Sequence, residues 1–246
     1  MSRKGNHMNE SKIYRVYLSA GHGYYYNPTW NQWMTQRRSH WGVIEDFWNV
    51  LVARELFVLL DEDTRFNVYM NRDFFNEEVG ISGHQKWMEA SHLFFKEIGA
   101  PDYVWNNGVG VQQAINADAL GAKYHQTDIA LSIHANSGGG EARGHEVWHH
   151  SQSSLGSSLA YKLNESLAAM PNISRGVKAD YYHDQFAFWK TTQGQIMSLI
   201  EYFFYDNETD NELMKLQKNI SLCAQLTYQG VVDFIDTYGR TMTWVS

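Results

Sequence analysis

A single cysteine, Cys223, stands in 246 residues. One thiol cannot build an internal disulfide framework, so the fold has to hold by packing, and Cys223 reads as a small core hydrophobe. Basic clustering is missing as well. The 20 Lys and Arg are scattered among 27 Asp and Glu, for a formal charge of -7 and a pI near 5.8. That is not the footprint of a nucleic-acid or anionic-membrane binder, so neither is expected as a partner. No window approaches the ~18 apolar residues of a membrane-spanning helix, and no solenoid or propeller period recurs. The opening MSRKGNHMNESK is polar and lacks the apolar core of a secretory signal. These absences predict a soluble chain made in the cytoplasm, with residues 1–10 as a mobile N-terminal tail ahead of one domain over residues 11–240.

What the chain has is enough apolar content, 43%, to bury one sizeable core. Strand-like runs alternate with helical patterns throughout, which predicts an α/β fold: a twisted mixed sheet flanked by helices on both faces. The run Asp128-Ile-Ala-Leu-Ser-Ile133 has strand length and delivers His134 ahead of a Gly-rich SGGG. A second run, Ile13 to Ala20, delivers His22 between Gly21 and Gly23, where glycine lets the backbone turn sharply and approach a ligand. Ligands of open α/β sheets gather at strand carboxyl ends, so both histidines are placed either for metal or substrate or as ordinary hydrogen-bonding residues. Ile44, Trp48, Leu51, Val52 and Leu59 mark a helix from Ile44 to about Leu60, with Glu45 in its first turn, where a carboxylate also suits the macrodipole. The aromatic stretch 24–41 reads as a loop that either packs locally or walls a groove. Residues 73–112, with a helix expected near His84 to Glu97, read as an insertion at the sheet rim.

His145-Glu-Val-Trp-His149 has the form of a zinc-protease signature, H-E-x-x-H. That signature needs a helix, and Gly-rich sequence before it with Ser151-Gln-Ser-Ser154 after leaves too little room for one. As a strand it puts the two histidines ~13 Å apart, facing outward, with Glu146 on the other face. Leu155 to Met170 then reads as a helix, Arg175-Gly-Val-Lys178 as the start of a loop, and Gly194 to Tyr202 as a buried strand carrying Glu201 near its end. A carboxylate there is either solvated at the rim, paired with Lys178 or Arg175, or placed for chemistry, because burying it unpaired costs several kcal/mol. Thr209-x-x-Glu212 has the form of a capping box, and Leu213, Leu216, Ile220, Cys223, Thr227, Val231 and Phe234 trace a long final helix.

AGHG, the helix-opening Glu45, SIHAN, GHEVW, RGVK and SLIEYFFYDN, in this order from about Ile13 to Ile235, resemble the zinc-dependent N-acetylmuramoyl-L-alanine amidases of the amidase-3 type. The resemblance implies Zn2+ held by His22, Glu45 and His134, with Glu201 catalytic. It also implies hydrolysis of the amide joining N-acetylmuramic acid to L-alanine in peptidoglycan, by a lysin of phage-endolysin kind acting at the bacterial wall after release. The alternatives are a zinc peptidase of stem peptides and a non-catalytic wall-binding module.

Overall fold

The structure, a computed structural model, describes residues 12–22, 24–27, 32–35, 39, 41–71, 121–181 and 196–239. The N-terminal tail, the 73–112 insertion with its expected helix, and parts of the aromatic stretch 24–41 lie outside the described residues. Strands β1 (Tyr14–Ala20), β4 (Phe66–Met70), β5 (Ile129–Asn136), β6 (His145–His150), β7 (Ser174–Asp180) and β8 (Ile196–Phe204) form one sheet in the order β4-β1-β5-β8-β6-β7. Four of the five pairings are parallel; β6 runs antiparallel to β8. The sheet is therefore mixed, as the alternation of patterns predicts.

Helices α1 (Glu45–Asp61), α2 (Ser154–Leu167) and α4 (Gln217–Tyr238) cover one face, where Val16, Leu18, Leu131, Ile133, Ile200 and Tyr202 join Leu56, Leu163 and Phe234 in the main core. On the other face Tyr17, Ala130, Met197 and Leu199 pack with Ala122 of the helical stretch 121–124. From Ile196 to Tyr202 the apolar residues of β8 thus alternate between the two faces, and all nine residues of the strand are buried. Burying a side chain of this kind contributes roughly 1.5–3 kcal/mol, which is why the central strands carry near-continuous apolar runs. Cys223 is fully buried in the main core, and burial holds its thiol well above its ordinary pKa, as suits a packing residue.

Several boundaries differ from the sequence reading. Residues 24–41 are not all loop, since β2 (Tyr24–Asn27) and β3 (Gln32–Thr35) pair antiparallel. Arg175-Gly-Val-Lys178 lies inside edge strand β7 rather than opening a loop. The capping box is not formed: helix α3 (Glu208–Met214) begins one residue before Thr209, and the side chain of Asn207 caps it by accepting from Asp210 N. The long final helix is broken after α3, because the Trp48 indole donates to Met214 O at 3.0 Å and the Asn219 amide donates to Leu213 O at 2.8 Å. Those carbonyls are taken by side chains, one from α1 and one from α4 itself, and the ladder stops and restarts.

Candidate active site

The parallel strands β1, β5 and β8 end on one edge of the sheet. The edge also receives the beginnings of β6 and β7, because β6 is reversed. Across it the five strands present His22, His134, Glu201, Glu146 and Arg175 in turn. The register is explicit for the middle three: His134 stands opposite Glu201, and Glu201 opposite Glu146.

His22 follows β1 in the left-handed region, with φ of 61°. Asn71 fixes the strand end just before it by donating to Ala20 O and accepting from Ala20 N, both at 3.1 Å. Asn49 of α1 donates to Gly21 O at 3.1 Å, which ties the turn to the helix. Gly21 leaves room for the His134 ring, since any Cβ at that position would collide with it. The two imidazoles stand edge to face, 4.9 Å apart between centroids.

Glu45 Oε1 lies 3.4 Å from His22 Nε2 and 3.4 Å from His134 Nδ1. The same oxygen accepts from Ala135 N at 3.0 Å and from the Asn49 amide at 3.4 Å, so the carboxylate is oriented by the next strand and by its own helix. Burial alone would raise its pKa, but the charge of His22 and hydrogen bonds from both histidines outweigh that and hold it well below the ordinary range. The helix N-terminus adds to the preference for the ionised form. One ligand atom from each of the three lies within 4.8 Å of the others. Tetrahedral zinc with bonds of about 2.1 Å separates its ligand atoms by roughly 3.4 Å, so two imidazoles and a carboxylate at these separations suit such an ion. At 15% and 17% exposed, the histidine side chains leave an approach from solvent.

Two further carboxylates share this face in contrasting surroundings. Glu146 is saturated: Oε1 accepts from Asn136 at 2.7 Å and Trp148 Nε1 at 3.0 Å, while Oε2 accepts from Arg175 Nε at 2.9 Å. Glu201 is 8% exposed, and its Oε2 is buried without a hydrogen-bond partner. Burial first, then the charges of Glu45 and Glu146, push its pKa well above the ordinary range. Arg175, one of two cations the sequence offered to Glu201, is taken by Glu146. The two acids thus stand side by side in opposite conditions, one fully engaged and one buried without a partner at Oε2. The sequence reading missed the Glu146–Arg175 pair, because the polar HEVWHH of β6 does not set off a charge as the apolar run of β8 sets off Glu201.

H-E-x-x-H is a strand, as expected, but its histidines do not face outward. His145 is 0% exposed and His149 8%; His145 Nδ1 lies 2.7 Å from Asn172 Oδ1, and His149 Nδ1 2.9 Å from His150 O. Both are structural residues behind the sheet edge. Gly144, at φ of 112°, brings the start of β6 so close to Ile173 O that no Cβ could fit. Burial lowers the His145 pKa, while the Asn172 bond and the charge of Asp210 oppose the shift. Folding therefore holds this ring neutral, whereas the unfolded chain protonates near pH ~6.5. Its stabilisation is present above that pH and is lost as pH falls below it. Melting temperatures across pH 7.5 to 5.5 should decline, and His145→Gln should flatten the decline; equal slopes would refute the assignment.

The sequence profile of the family described as N-acetylmuramoyl-L-alanine amidase matches residues 16–233. No curated protein matches the chain by sequence. Among solved structures, it is similar to an N-acetylmuramoyl-L-alanine amidase from Clostridium difficile 630, with 19% identity, 92% of this chain and 99% of that one covered, and a TM-score of 0.61. The amidase Ami1 from Mycobacterium smegmatis is similar at 17% identity, 92% and 99% coverage and a TM-score of 0.63. The catalytic domain of the CD27L endolysin, which targets Clostridia difficile, gives 17%, 89% and 97%, and 0.53.

Proposed function

We propose that this chain, which belongs to the N-acetylmuramoyl-L-alanine amidase family, hydrolyses its peptidoglycan amide with zinc held by His22, Glu45 and His134 and with Glu201 as proton carrier. When bound, zinc supplies positive charge that polarises the amide carbonyl and acidifies water enough for attack near neutral pH. The chain's residues do the rest. Glu45, kept ionised, balances part of the metal's charge, and Asn49 and the Ala135 N–H hold its orientation. Glu201 accepts the proton of the attacking water and returns it to the departing amine of L-alanine. Its raised pKa makes it a stronger base than an ordinary glutamate and a ready donor afterwards.

The observation that carries this reading is the partnerless Glu201 Oε2, one strand from His134, beside a Glu146 that takes the Asn136 amide, the Trp148 indole and Arg175 Nε. No comparable support exists for a peptidase built on His145 and His149, which are buried and committed elsewhere. The proposed place of action is the bacterial wall, as a lysin released from the cytoplasm.

The test is a digest of purified sacculi. New L-alanine amino termini on intact stem peptides are expected, without new reducing sugar ends. Amino termini arising inside the stems would sink the reading.

A further inference from the structure

We propose that the outward end of Arg175 binds a carboxylate of the stem peptide, on the residue that follows L-alanine; this rests on the amidase reading. Arg175 sits at the start of β7, two strands beyond β8. Its side chain folds back over β6, where Nε donates to Glu146 Oε2 at 2.9 Å and Cζ lies 5.0 Å from the centre of the Phe204 ring. Glu146 is 4% exposed, and Asn136 and Trp148 engage its other oxygen. The guanidinium is thus mounted on a rigid anchor and an aromatic plate.

A guanidinium has five N–H groups, and only the one on Nε is used. The four on Nη1 and Nη2 have no partner among the described residues, and the side chain is 40% exposed. That free edge is the fork that matches a carboxylate in two parallel hydrogen bonds. Its surroundings would otherwise repel an anion, since Glu201 and Glu45 lie along the same edge. The reach also agrees. Folding back over β6 brings the guanidinium to about one strand spacing, ~5 Å, from the Glu201 strand. A residue one step past the scissile L-alanine lies no more than ~7 Å from the cleaved bond along an extended chain. A free acid at that position would be held by the fork and its amide would not, so the site would sort walls by that one modification.

The experiment compares two synthetic muramoyl peptides differing only in a free acid or a primary amide at this position. Wild type is expected to favour the free acid roughly ten- to hundredfold in kcat/KM, with most of the difference in KM. Arg175→Gln combined with Glu146→Gln removes the pair without stranding a buried charge, and the preference should collapse to about one at unchanged zinc content. Arg175→Lys, which keeps a charge but loses the fork, should keep an intermediate preference, and it serves if the double variant does not fold. Equal wild-type rates on the two peptides, or a preference undiminished from wild type in the variants, would overturn the carboxylate site alone. Cleavage of neither peptide by wild type would overturn the amidase reading as well.

Discussion

His134→Ala is expected to remove bound metal and lytic activity together. The imidazole is one of three ligand donors within 4.8 Å of one another. Losing it should weaken metal binding by far more than the roughly 10–100-fold that follows loss of a residue merely supporting a ligand. The fold should survive, because the ring occupies space left by Gly21 at the sheet edge and is not part of the apolar core. Elemental analysis of the purified variant should therefore find little zinc in a protein that still melts cooperatively. His149→Ala is the control. Its Nδ1 is engaged by the backbone of His150, so that variant should keep its metal and most of its activity. The reverse pattern, metal lost from His149→Ala and kept in His134→Ala, would move the centre to H-E-x-x-H.

Glu201→Gln should leave zinc in place while activity falls by roughly 10²–10⁴-fold, the usual contribution of general acid–base catalysis. Glutamine is nearly isosteric and can still hydrogen-bond water but cannot accept its proton. A second readout separates this from a structural role. The raised pKa means that the folded, metal-free protein holds a proton on Glu201 at a pH where the unfolded chain has already released it. Stability from this group is full below the ordinary carboxylate value, ~4.3, and is lost as pH rises toward the raised one. The metal-free variant should thus melt higher than metal-free wild type at neutral pH, as expected where function is held at the expense of stability. If it melts lower and turnover on muropeptides is unchanged, Glu201 is an ordinary structural acid.

Much of this was legible from local pattern. The runs of β1, β5 and β8 are apolar because both faces are covered, and α1 shows its helical spacing from Trp48 to Leu59. His22, Glu45, His134 and Glu201 were each visible as polar residues at the ends of such elements. Elements that depend on distant partners were not legible. The edge strand β7 carries few buried residues and a left-handed Gly176, so it reads as a loop until β6 lies beside it. The gap between α3 and α4 follows from the Trp48 indole on another helix, which no spacing among Leu213, Leu216 and Ile220 could reveal. Glu146 is illegible for a related reason: in sequence it stands only between the histidines of H-E-x-x-H, whereas its partners Arg175 and Glu201 lie across two strand pairs.

The alternation along β8 makes Glu201 a guard on strand alignment, apart from the proton-carrying role proposed for it. Ile200 and Tyr202 belong to the main core, while Glu201 alone faces the site. Sliding β8 by one residue against β5 would turn every side chain to the opposite face. The carboxylate would then be driven in among Ile133, Leu163 and Phe234, with no donor near it. Such a burial costs several kcal/mol, a large part of a domain's total stability. The glutamate that burdens the correctly paired sheet thereby penalises the shifted one far more, and misaligned chains are disfavoured before any substrate is met.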